Sequence, residues 1–115
     1  MKETKPYKGI IKRVKLDSGI RAGVPEWANY LAIDGNGVLI AFAEYPDYHE
    51  TRKQWGASIF KPRDHDNCKY FEIGYIVANP DIDPKKVMVI QDAQVLRTLK
   101  GTLHPRHQTI GRSHA

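Results

Sequence analysis

The sequence predicts a mainly β fold with minor α content: a five- to six-stranded, antiparallel, partly rolled sheet with one short C-terminal helix. Three observations carry that expectation. Polar and apolar residues alternate from Tyr7 to Leu16, the turn Asp34-Gly-Asn-Gly37 separates two apolar runs, and Tyr70–Val77 is rich in aromatic and β-branched residues.

In chain order, Ile10, Lys12, Val14 and Leu16 fall on one side of the first segment and Ile11, Arg13 and Lys15 on the other, which predicts a strand with its cations facing solvent. Asp17-Ser-Gly-Ile-Arg-Ala-Gly23 carries turn chemistry, so a loop is expected from there to Pro25. Tyr30–Ile33 and Val38–Phe42 then read as a β-hairpin. Gly35 and Gly37 allow a left-handed backbone and Asp34 and Asn36 tolerate it best among other residues, leaving two candidate turn dipeptides. Pro46 ends the second strand, a polar loop follows over Asp47–Gln54, and Trp55–Phe60 is a third meander strand stopped by Pro62. After the charged loop Arg63–Cys68 comes the strand Tyr70–Val77, where Gly74 marks a bulge or a close approach. A two-proline loop, Asn79–Pro84, leads to a short strand, Val87–Ile90. Asp92 can cap a short helix, because Val95, Leu96 and Leu99 fall at i, i+1 and i+4, with Gly101 as the stop. From Thr102 onward Leu103 and Ile110 are the large apolar residues, too few to offset the entropy of ordering. The expected organisation is one β-rich domain over residues 1–101 and a basic, disordered tail over 102–115.

The 115 residues carry a net charge of +5, and its distribution says more than its size. Residues 1–16 hold Lys2, Lys5, Lys8, Lys12, Arg13 and Lys15 against Glu3, and residues 97–115 hold Arg97, Lys100, Arg106 and Arg112 with no acid. The middle is net acidic. A nucleic-acid domain that interleaves cations through all its strands would look different. No apolar run approaches the roughly 20 residues of a membrane helix, and no secretory signal is visible, so no membrane partner is expected. Cys68 stands alone and cannot form an internal disulfide, which fits a reducing cytosol.

The run Pro25-Glu-Trp27-Ala-Asn-Tyr30-Leu-Ala-Ile-Asp34-Gly-Asn-Gly37, followed by Phe42, Pro46 and Trp55, resembles a segment of small uncharacterised accessory proteins of tailed bacteriophages and prophages. In those proteins a Trp-x-x-Tyr strand, an Asp-x-x-Gly turn, an aromatic strand and a Pro-loop-Trp recur as one hairpin unit. The resemblance implies expression in the cytosol of an infected bacterium and a role in binding host machinery; it names no activity. Physically, Trp27 and Tyr30 are apolar anchors, Asp34 and Gly37 shape the turn, and Trp55 can close over the hairpin.

Several patterns bear on chemistry. The triplets His49-Glu-Thr51 and His107-Gln-Thr109 resemble the two His-x-Thr motifs of two-histidine phosphoesterases, in which one histidine is the general base, the other the general acid, and the hydroxyls hold phosphate. In that family each triplet lies on a core strand between apolar residues, whereas here the flanks are Tyr48 and Arg52, then Arg106 and Ile110. Asp64-His65-Asp66 with Cys68 offers oxygen, imidazole and thiolate donors, yet consecutive strand residues point to opposite sides and an exposed acidic loop is the simpler reading. Asp34-Gly-Asn-Gly starts like a calcium loop but has Tyr45 where a bidentate Glu is required. His104 and His107 can at most hold an adventitious metal ion. Cys68 has no sequence-adjacent base except His65 and no orienter that spacing supports, and there is no glycine-rich phosphate loop or Gly-x-Ser-x-Gly. No catalytic set, metal or cofactor is expected.

What remains is binding. The candidate surface comprises Lys8, Lys12, Arg13 and Lys15 on the first strand; Trp27, Arg52, Lys53 and Trp55 around the hairpin; and Arg97, Lys100, Arg106 and Arg112 toward the end. Basic arms flanking a rigid sheet suit an acidic partner. The leading expectation is therefore a non-enzymatic phage-type accessory protein that binds and modulates or inhibits a host macromolecule, above all a protein. The alternative is nucleic-acid binding by the basic ends, with Tyr7, Trp55, Tyr70 and Phe71 as stacking platforms. A minor alternative, implied by the His-x-Thr resemblance, is a two-histidine phosphoesterase acting on cyclic nucleotides through His49, Thr51, His107 and Thr109.

Overall fold

The alternation read from Tyr7 onward is a strand in the computed structural model, which describes residues 5–56, 69–76 and 85–110. Strand β1 (Tyr7–Lys15) turns at once into β2 (Arg21–Pro25). The Leu16 and Gly19 amides donate to the carbonyls of Ile20 and Leu16, each at 2.8 Å, and Gly19 takes a φ of 93°. The turn chemistry is thus spent within a few residues. Arg21–Pro25, expected as loop, pairs antiparallel with β1, and Ala22 and Val24 are buried opposite Val14 and Lys12. Ladder hydrogen bonds and burial outweigh the weak strand propensity of Gly23.

The hairpin forms as its sequence dictates. Strands β3 (Tyr30–Ile33) and β4 (Val38–Phe42) pair from Tyr30 opposite Phe42 to Ile33 opposite Leu39. Gly37 supplies the left-handed residue at φ 85°, its amide donating to the Asp34 carbonyl at 2.9 Å, while Asn36 Oδ1 accepts from the Val38 amide. Every residue of β4 is buried, as its uninterrupted apolar run requires. A second hairpin follows where a polar loop was expected: β5 (Asp47–His49) pairs with β6 (Gln54–Gly56), so Trp55 is joined to Tyr48 rather than to β4.

Strand β7 (Tyr70–Ile76) lies antiparallel to β4, with a register shift that leaves Ile73 as the extra residue beside Gly74. A Cβ on Gly74 would come within 2.1 Å of the Gln108 carbonyl oxygen, so both expectations for that glycine, bulge and close approach, hold. Strand β8 (Met88–Val89) pairs with β3 and runs into a 3-10 turn, Ile90–Asp92.

The C-terminal helix is absent. Residues Gln94–Leu103 form β9, a ten-residue strand antiparallel to β1, which leaves the 3-10 turn as the helical part of the described chain. The spacing of Val95, Leu96 and Leu99 fits a helix, but the β-branched Val95, Thr98 and Thr102 fit the ladder, and the apparent i, i+1 pair arises because Leu96 is a bulge residue skipped by β1. The tail also differs. β10 (Gln108–Ile110) is a strand parallel to β7, and Ile110 is 1% exposed, so order continues through Ile110 instead of ending at Gly101. Trp55–Phe60 is described only to Gly56; the remainder of that segment, Asn79–Pro84 and residues 111–115 lie outside the described residues.

Instead of one sheet, the described strands form three: β2-β1-β9, β10-β7-β4-β3-β8 and the β5-β6 hairpin. They stack in layers. Val14, Ala22 and Val24 from the first sheet meet Leu31, Leu39, Ile73 and Ile110 from the second in the larger core. The opposite face of the five-stranded sheet packs Ile40 and Phe42 against Trp55 in the smaller core. Gln108 joins the first two sheets, its side-chain amide accepting from the Gly23 amide and donating to the Gly23 carbonyl, both at 3.1 Å. That amide takes the place of a neighbouring strand on the edge of β2.

Candidate binding surface

The three-stranded sheet is basic throughout. Strand β1 contributes Lys8, Lys12, Arg13 and Lys15, β2 contributes Arg21, β9 contributes Arg97 and Lys100, and none of the three strands contains an acid. Register concentrates the charge further. Arg13 stands directly opposite Arg97, and Lys15 stands between Arg21 on β2 and Gln94 on β9. Directly opposed residues share a face, as do residues two apart on one strand, so Arg13, Arg97, Lys15 and Arg21 occupy two adjacent rows of the same face. Cross-strand Cβ atoms are about 5 Å apart, a distance at which like charges destabilise the sheet. Arg13, Arg21 and Arg97 are exposed and Lys15 is half-buried. None of these cations forms an ion pair with a described residue; the ion pairs among described residues are Lys85–Glu50 and Arg106–Glu72. An open groove lined by Lys15, Leu16, Asp17, Asp92, Ala93 and Gln94 borders the cluster, so Asp17 and Asp92 mark its end.

Lys8, Lys12 and Lys100 lie on the other face of the β1–β9 ribbon, where Lys8 faces Thr102, Lys100 faces Ile10, and Lys12 faces Thr98; beyond Lys12 that face turns into the larger core at Val14, Ala22 and Val24. Beside them β9 exposes two apolar side chains, Val95 at 52% and Leu96 at 41%. Arg21 was missing from the sequence-derived surface because its segment read as loop. The signal that could have found it is the alternation of Ala22 and Val24, which implies a strand with Arg21 outward.

The other expected residues are dispersed. Arg52 and Lys53 sit in the turn of the β5–β6 hairpin, on the opposite side of the five-stranded sheet from the basic surface. Lys53 is left-handed at φ 55°, and its carbonyl accepts from the Gly35 amide at 2.8 Å, tying the two hairpin turns together. Trp55 is core: its indole N–H donates to the Ile33 carbonyl at 3.0 Å and its backbone amide to Asp34 Oδ1 at 3.0 Å. Trp27 is half-buried, edge-on to Tyr7, with Lys69 Nζ 4.9 Å from its ring centroid.

Arg106 is not a free arm. Its guanidinium pairs with Glu72, itself 8% exposed, and reaches the Tyr75 hydroxyl at 3.3 Å, while its amide donates to the Glu72 carbonyl at 2.9 Å. The hydrogen bond to Glu72 pushes the guanidinium pKa further up despite partial desolvation, and the negative charge of Glu72 adds to the shift. Arg106 closes the turn that sends the chain from β9 into β10. Arg112 lies outside the described residues.

The structure does not assemble the two His-x-Thr triplets. His49 ends β5, and Thr51 lies in the following turn; His107 precedes β10 and stacks against His104 with ring centroids 5.3 Å apart, and Thr109 pairs with Tyr75. They thus belong to different sheets. Among the described residues no group of three or more His, Cys, Asp or Glu side chains could hold a metal ion. Asp64, His65, Asp66 and Cys68 lie outside the described residues, and no described helix is long and apolar enough to cross a membrane. A scan against protein-family models and searches of curated proteins and solved structures find no match to this chain.

Proposed function

We propose that the chain is a non-catalytic binding protein that engages an acidic protein partner through the β2-β1-β9 sheet. One observation carries this reading: an acid-free sheet holds Arg13, Arg97, Lys15 and Arg21 in adjacent rows without internal counter-charges. A partner that supplies carboxylates relieves that repulsion and gains on-rate from the field. Following the resemblance of the hairpin segment, the partner is a protein of a bacterial host, which the chain modulates or inhibits.

Nucleic acid is the weaker reading because the rings that would stack on bases are engaged elsewhere. Tyr7 packs edge-on against Trp27 and Phe71, and Phe71 and Trp55 are buried. The exposed rings Tyr45 and Tyr75 lie just after β4 and on β7, not on the basic strands.

Affinity capture from a nuclease-treated bacterial lysate tests the proposal. The unaltered chain should retain a stoichiometric protein partner, and the double charge reversal Arg13→Glu, Arg97→Glu should release it. Capture that disappears with nuclease would transfer the function to nucleic acid. Equal capture by both chains would remove the basic sheet from the interface.

A further inference from the structure

We infer that an extended, acidic segment of the partner adds to the open edge of β9 as the next strand of the sheet. The inference rests on the reading of this sheet as a protein-binding surface and specifies how binding occurs. Strand β9 ends the order β2-β1-β9, and among the described residues no strand pairs with its outer edge. A row of backbone N–H and C=O groups is therefore presented to an incoming chain, the arrangement that supports recognition by strand addition.

Local features define which part of the edge serves and what it accepts. The bulge at Leu96 interrupts the ladder, so regular strand runs from Arg97 to Leu103. Within it Thr98, Lys100 and Thr102 are exposed on one face, while on the other the half-buried Leu99, Gly101 and Leu103 continue the row of exposed Arg97, so an added strand meets a polar row on one face and an apolar row ending in a cation on the other. Exposed Val95 and Leu96 offer apolar contact at one end. The charge selects the occupant. With Arg97 and Lys100 on the edge strand and Arg13 directly behind Arg97, glutamate or aspartate on the incoming strand gains cross-strand attraction. A second copy is disfavoured by the same logic, since β9 beside β9 sets acid-free cationic strands against each other.

The probe is a fluorescein-labelled decapeptide of alternating glutamate and valine, titrated into the full chain by anisotropy. Its lysine–valine counterpart and a single-stranded decanucleotide are controls, with two N-methylated forms carrying the methyl groups on the glutamate or on the valine nitrogens. Only one set of amides can face β9. The acidic peptide should bind and its lysine counterpart should not. One N-methylated form should bind about tenfold or more weakly than the other, because it loses several edge hydrogen bonds. Amides between Arg97 and Leu103 should exchange more slowly in the complex. Equal binding by both methylated forms and the parent would overturn strand addition while leaving an acidic partner docked by charge alone. Preference for the oligonucleotide would overturn both.

Discussion

Replacing Ile110 with alanine should lower the unfolding free energy by about 2–5 kcal/mol, read from the shift of the denaturant midpoint at unchanged slope. Ile110 is 1% exposed, lies in the larger core with Val14 and Ile73, and pairs with Ile76 across the parallel β10–β7 ladder. Truncation removes buried apolar surface and leaves a cavity where the two main sheets meet. It should also loosen Gln108, two residues back, whose amide satisfies both backbone groups of Gly23. A mobile tail would give a different answer: a surface substitution there should stay within about 0.5 kcal/mol of the unaltered protein.

Trp55→Ala should be at least as damaging, at about 3–5 kcal/mol. The ring is 4% exposed, fills the smaller core beneath the five-stranded sheet, and meets Tyr48 edge-on at 5.1 Å. Its indole N–H also satisfies the Ile33 carbonyl at the end of β3. Trp55→Phe separates the two contributions, since it keeps most of the packing but leaves that buried carbonyl without its donor. It should cost about 1–3 kcal/mol, and a loss as large as that of alanine would mean that the phenyl ring cannot replace the indole in this core at all.

These two positions show what was legible. The hairpin from Tyr30 to Phe42 could be read because its signals are local: Asp34, Asn36 and Gly37 shape the turn with their own backbone and side-chain bonds, and the flanking runs leave no polar face. Gly74 was legible for the same reason, as a glycine inside a strand pattern. Trp55 announced itself as a closing residue, although its strand partner, β5, did not. Ile110 was not legible, because one isoleucine in a polar stretch becomes core only through parallel pairing with a strand far back in the chain.

The misread helix has the same origin. Val95, Leu96 and Leu99 satisfy a helical spacing locally, and only the ladder with β1 shows Leu96 to be a bulge residue. The binding surface was half legible. Lys8 to Lys15 cluster in sequence, and Arg97 and Lys100 stand among no acids, but their convergence depends on β1–β9 register. Arg106 looked equally free and is instead held by Glu72, whose burial the sequence did not mark.

If the cations of β1, β2 and β9 are held for a partner, removing one should make the isolated protein more stable. Arg97→Thr puts a good strand former opposite Arg13 and relieves their repulsion, so its unfolding free energy at low salt should rise by about 0.2–1 kcal/mol. A fall of similar size would mean that Arg97 stabilises the fold itself, and the basic sheet would then be structural rather than a surface kept for binding.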